Sequence, residues 1–172
     1  MARVGIHFLD ETLAGIAWRP RFRLHVHRTR PLIRSLEAKG LSEPNVLAIL
    51  TVETFYRPAA LRMLEYVVWL ALSVFGGTRV GSISLGRAQV QLAYWRELGL
   101  IDSVAFSFER FALVRDVETN YEVCRRYLRR NQVLGEPNPD VLTSVYTGGP
   151  RPDYSSMLKT ARGAIGSSLP RC

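Results

Sequence analysis

Apolar residues recur at helical spacing through most of this chain. Between Gly40 and Pro58, the positions Val46, Ile49, Leu50 and Glu53 follow the i, i+3, i+4, i+7 rule. That spacing predicts a helix N-capped by Ser42, with Glu43 and Pro44 in its first turn, ending at Pro58 and carrying a carboxylate at the end of its apolar stripe. A preceding helix is predicted from Pro31 to Lys39, stopped by Gly40. A long apolar segment, Ala59 to Phe75, reads as a buried core helix ending at Gly76-Gly77. Further helices are expected at 87–98, 104–113, 117–131, 139–147 and 152–163, with breaks at Gly135, Pro137, Pro139 and Gly148-Gly149-Pro150. The Gly- and Ser-rich stretch near 79–85 suits a short strand or hairpin. Residues 21–28 instead alternate basic and apolar side chains, the period of an edge strand or extended arm. The fold class is therefore mainly α, with a small β region near 79–85 and an extended or β-like N-terminal arm. The expected organisation is an arm over 1–30, a helical domain over 31–163, and a flexible tail over 164–172.

Glu53 is the most informative position in this pattern. A lone acid among aliphatics costs several kcal/mol if it stays charged, so it tends to hold its proton. That makes Glu53 a proton-donor candidate. The plainer alternative is a surface pair with Arg57 at i+4, worth a few tenths of a kcal/mol.

Composition narrows the partners. The chain has 172 residues and a formal net charge of +8. Lys39 and Lys159 are the only lysines, so arginine supplies almost all of the positive charge. Such a balance suits an anionic partner: nucleic acid, lipid headgroups or an acidic wall polymer. Two cysteines, Cys124 and Cys172, make neither a disulfide framework nor a metal cluster. His25 and His27 lack nearby Cys or carboxylate partners and read as a solvated face rather than a metal site. The longest apolar run, Tyr66 to Phe75, is about half of the roughly 20 residues a membrane-spanning helix needs, so no span is expected. The first residues carry Asp10 and Glu11 where a signal peptide needs a continuous apolar core, so no classical export signal is expected.

Several separated segments line up in one order: Glu53 closing a helix, then Ser82-Ile83-Ser84-Leu85-Gly86-Arg87-Ala88-Gln89, then Asn120-Tyr121 to Tyr127-Leu128, then Tyr146-Thr147-Gly148-Gly149-Pro150. Over roughly residues 42–163 this order resembles the lytic transglycosylase and goose-type lysozyme superfamily. That family has a helix-end Glu, a Ser/Gly turn opening a Gly-Leu-Met-Gln helix, an Asn-led helix with Tyr-Leu, and a Tyr-Asn-x-Gly turn. This chain departs from it in placing Thr147 where Asn is usual, and Arg87-Ala88 before the Gln.

The resemblance implies a lysozyme-like domain that cuts the β-1,4 bond between N-acetylmuramic acid and N-acetylglucosamine in peptidoglycan. Glu53 would be the acid/base, and Ser84, Gly86, Gln89, Tyr146, Thr147 and Gly148 would line the saccharide site. No cofactor or metal is implied. A lytic transglycosylase needs only the one Glu, because the muramic acid's own 6-hydroxyl attacks. A hydrolytic muramidase normally needs a second carboxylate, for which Asp102, Asp116 and Glu65 are available. Expected partners are peptidoglycan strands, together with a holin, a secretion machine or an immunity protein, and the expected place of action is the periplasm or cell wall after non-classical export. The rival reading makes Ser84 to Ile101 the recognition helix of a winged-helix DNA-binding domain, with 104–114 as its wing; the glycan reading needs no nucleic acid.

Overall fold

In a computed structural model, residues 18–75 and 80–166 are described. Among these the chain is mainly helical, with one two-stranded antiparallel sheet. The order is α1 (Trp18–Glu37), α2 (Pro44–Tyr56), α3 (Ala59–Val74), a 3-10 turn (Val80–Ser82), β1 (Ser84–Leu85), β2 (Val90–Gln91), α4 (Leu92–Glu97), α5 (Phe108–Arg115), α6 (Val117–Arg130), α7 (Pro139–Thr147) and α8 (Pro152–Gly166). In the hairpin Ser84 pairs with Gln91 and Leu85 with Val90.

The core is built around α2. All eight residues from Asn45 to Val52 are buried, so this helix has no solvent face and no apolar stripe of the kind its spacing suggested. Pro44 fits the first turn, where a missing N–H costs nothing, and Glu43 rather than Ser42 is the N-cap residue. Helix α8 packs most extensively on α2, with α6 and α1 on further sides. Asn45 is satisfied inside the core by donating to the carbonyls of Leu134 and Glu136 at 2.9 and 3.0 Å.

Four expectations are corrected. The 18–30 segment is not extended: α1 runs unbroken through Pro31 and past the expected 30/31 boundary. The alternating pattern treated Phe22, Leu24 and Val26 as one face. Instead Phe22 and Val26, at i and i+4, are buried with Ile33 and Leu36, while Leu24 is half exposed. Residues 1–17 of the expected arm lie outside the described residues. The β region falls at 84–85 and 90–91, and the helix expected from Arg87 starts only at Leu92. Positive φ values at Gly86 (75°) and Gln89 (50°) bar a helix from that stretch. The tail boundary also moves: α8 continues to Gly166 with Ile165 buried, leaving only 167–172 outside the description. Finally, α3 is not a buried core helix, since it buries only Tyr66 and Trp69. Helices α6 and α7 lie where their caps place them, with the Asp116 and Asn138 side chains accepting the first free N–H groups.

Candidate active site

Glu53 stands in the last turn of α2, where the fully buried stretch ends, and is half-buried. Its carboxylate Oε1 accepts a 2.8 Å hydrogen bond from the Tyr154 hydroxyl, supplied by the first turn of α8. Burial pushes the Tyr154 phenol well above its ordinary range, with the negative charge of Glu53 adding to the shift, so the hydroxyl remains a donor. Tyr154 is held between two other rings: Tyr56 stacks on it at 5.9 Å with planes 2° apart, and Tyr146 lies at 6.4 Å. Tyr127 meets Tyr146 edge-on at 5.7 Å. The Cys124 thiol is buried in the same wall, and burial pushes its pKa far up, leaving it an inert neutral group.

The second half of the site is the turn between β1 and β2. Asn120, fully buried on α6, clasps it with all of its amide valences. Its Oδ1 accepts from the backbone N–H of Arg87 (2.6 Å) and Ala88 (3.0 Å), and its Nδ2 donates to the carbonyls of Val114 (2.7 Å) and Asp116 (2.6 Å). Gly86 is required beneath this clasp: besides its positive φ, a Cβ there would lie 2.3 Å from Asn120 Oδ1 and 2.8 Å from the Val114 carbonyl. The turn delivers Gln89, whose Nε2 donates to Gly86 O (2.8 Å) and to Glu65 Oε2 (3.2 Å). These two acceptors fix the amide's orientation. The other oxygen of Glu65 is ion-paired with Arg57. Desolvation raises the Glu65 carboxyl above its usual range, although the Arg57 guanidinium pulls the other way. Two buried atoms around this cluster have no hydrogen-bond partner, Gln89 Oε1 and Arg62 Nη1. One is an acceptor and the other a donor, so the region is polar and incompletely satisfied.

One side-chain path joins the halves: Tyr154 bonds Glu53 and stacks on Tyr146, whose buried hydroxyl donates to the carbonyl of Ala88, next to Gln89. Arg57 bonds Glu53 only through the helix backbone, while its guanidinium pairs with Glu65, the acceptor of the Gln89 amide. Glu53 and Tyr146 therefore share the Tyr154 wall, and Gln89 joins it through the backbone of its turn. Ser84 sits in β1, half-buried opposite Gln91. Thr147 shares its hydroxyl proton between Thr143 O (2.9 Å) and Gly149 O (2.7 Å), and Gly148, with φ 77°, caps α7. Thr147 and Gly148 therefore close a helix end. Sequence reasoning did not find Tyr154, because its spacing to Leu158, Ala161 and Ile165 reads as an ordinary core stripe. It counted Glu65 only as one of three spare acids, and assigned Asn120 no role of its own.

Comparison with protein-family models, with curated proteins and with solved structures finds no match to this chain.

Proposed function

We propose that this chain has a lysozyme-like domain and cleaves peptidoglycan glycan strands between N-acetylmuramic acid and N-acetylglucosamine, as a lytic transglycosylase with Glu53 as its single acid/base. The observation that carries the reading is the path from the Glu53 carboxylate through Tyr154 and Tyr146 to the Ala88 carbonyl beside Gln89. In this mechanism Glu53 gives a proton to the leaving glycosidic oxygen. The resulting carboxylate then takes the proton of the muramic acid 6-hydroxyl as that oxygen attacks C1, closing a 1,6-anhydro ring. Tyr154 fits the second role, since its hydroxyl stabilises a carboxylate at Glu53.

Transglycosylation is the version we favour over hydrolysis because the three second-carboxylate candidates are each engaged elsewhere. Glu65 has one oxygen on Arg57 and the other on Gln89. Asp102 is engaged by Arg110, and Asp116 caps α6 by accepting from Thr119. None of these three is free to activate a water. The DNA-binding alternative loses its main element: 84–101 is a hairpin turn followed by the six-residue α4, and 108–115 is a helix rather than a wing. On the peptidoglycan reading the protein acts in the periplasm or cell wall, delivered by a holin or secretion machine, and its positive charge favours the anionic wall.

The test is digestion of purified sacculi. Wild-type protein should release 1,6-anhydromuropeptides, one water lighter than hydrolysed fragments, and Glu53→Gln should release none while its melting temperature stays within a few degrees of wild type. Activity retained in that variant removes Glu53 as the acid, and reducing-end products alone reject the transglycosylase route.

A further inference from the structure

The solvent side of α3 carries no charge over its whole length. Arg62 and Glu65 are the only ionisable groups on α3 apart from the buried Tyr66, and both are drawn inward, half-buried among the residues around Gln89. The inner face is anchored by Tyr66 against Phe111 and by Trp69, whose indole N–H donates to the Val104 carbonyl at 2.8 Å. The outward face is left with Met63, Leu64, Val67, Leu70 and Val74, followed by Phe75. Val67 is 59 % exposed, Val74 68 % and Phe75 85 %. Phe108, 84 % exposed, extends the patch through Phe106, which packs edge-on against Trp69 at 5.1 Å. Isolated exposed aliphatics are ordinary, but a four-turn face with no polar residue is not, because soluble monomers rarely show contiguous apolar patches beyond a few hundred Å².

We propose that this face docks the protein on an anionic lipid bilayer, with α3 lying in the plane of the interface. At 16 residues α3 is about 24 Å long, and among the described residues no helix is long and apolar enough to cross a membrane. The geometry is that of a helix resting on the acyl boundary with its other face fastened to a folded domain. Charge complementarity selects the occupant. A second copy of this chain would bring another +8 against the first, whereas anionic headgroups reverse the sign of that interaction. A cation stands near the patch to meet them: Arg115 lies over the ring of Phe111, 5.2 Å from its centroid, and Phe111 packs on Phe106. This inference does not depend on Glu53 being catalytic.

The experiment is flotation with vesicles of phosphatidylcholine, with and without phosphatidylglycerol, together with sedimentation velocity of the protein alone. Wild-type protein should float with the phosphatidylglycerol vesicles, less with phosphatidylcholine alone, and less as salt is raised. The double variant Val67→Asn/Val74→Asn keeps net charge unchanged, and both sites are exposed enough for the fold to persist. It should lower the partition coefficient about tenfold or more, from the apolar burial lost at two valines. Val141→Asn, at an exposed valine on α7, should leave partitioning unchanged. The proposal is overturned if the wild type fails to float, if the double variant floats equally well, if Val141→Asn weakens binding as much, or if α3 instead mediates a dimer that the double variant dissolves.

Discussion

Replacing Gly86 by alanine isolates what the Asn120 clasp contributes. Two costs are superposed at that position. The first is the left-handed backbone, at φ 75°, which a residue with a Cβ adopts at about 1–2 kcal/mol. The second is steric: a Cβ 2.3 Å from Asn120 Oδ1 cannot coexist with the present amide position, and Asn120 cannot shift without loosening bonds of 2.6 to 3.0 Å to four backbone groups, of which Ala88 N–H and Val114 O are buried and the other two partly so. Leaving even one or two of those groups unpaired costs about 1–3 kcal/mol, for a total near 4 kcal/mol. Gly40 supplies the control. Its φ is 77°, nearly the same, but nothing lies within 4 Å of its Cβ position, so Gly40→Ala should cost only the backbone term. Thermal unfolding followed by circular dichroism should show a fall of about 10 °C for Gly86→Ala and about 3 °C for Gly40→Ala, taking 2–4 °C per kcal/mol for a chain of this size. Equal falls in the two variants would refute the argument, because they would mean that the contact with Asn120 adds nothing to the cost of the backbone conformation.

Tyr154→Phe should lower the turnover of sacculi about tenfold with KM little changed, since a hydrogen bond to a charged group is worth roughly 1.5–3 kcal/mol and this one touches the acid rather than the saccharide; unchanged turnover would exclude the tyrosine. Glu65 has a raised carboxyl in the folded state, so the unfolded chain ionises first as pH rises, and stability falls from about pH 4 upward until the folded group ionises as well. Glu65→Gln should flatten that decline, and melting curves parallel to wild type across the range would refute it. With Cys172 replaced by Ser, Cys124 should resist a thiol reagent in the native protein and react on unfolding; rapid native labelling would contradict its burial.

What could be read from the chain depended on whether local signals agreed with tertiary packing. Pro139 and Gly148 bracket α7 unambiguously because each has a single conformational use there, Pro in the first turn and Gly in a left-handed cap. The 21–28 stretch misled because Phe22 and Val26 satisfy both periods, and only the packing of Phe22 on Phe55 and α2 selects the helical one, leaving Leu24 half exposed. In α3, apolar content was taken for burial, but composition does not say which of a helix's sides meets a neighbour. Glu53, Gln89 and Tyr146 are singled out by the order of the motif residues alone. The acceptor of the Tyr146 hydroxyl, the tyrosine that reaches Glu53 and the role of Asn120 are not legible in that order. Each is a contact spanning at least 32 positions, which no local pattern encodes.

The complete burial of α2 from Asn45 to Val52 also has a kinetic meaning. Backbone amides in a helix enclosed on every side exchange with solvent mainly when the whole domain opens, so this segment should belong to the slowest-exchanging unit of the protein. Glu53 sits directly at its end. The carboxylate is carried by the most permanent part of the molecule, while Tyr154 reaches it from a helix terminus and Gln89 stands in a turn, so any adjustment on binding a ligand would fall to those two and leave Glu53 in place.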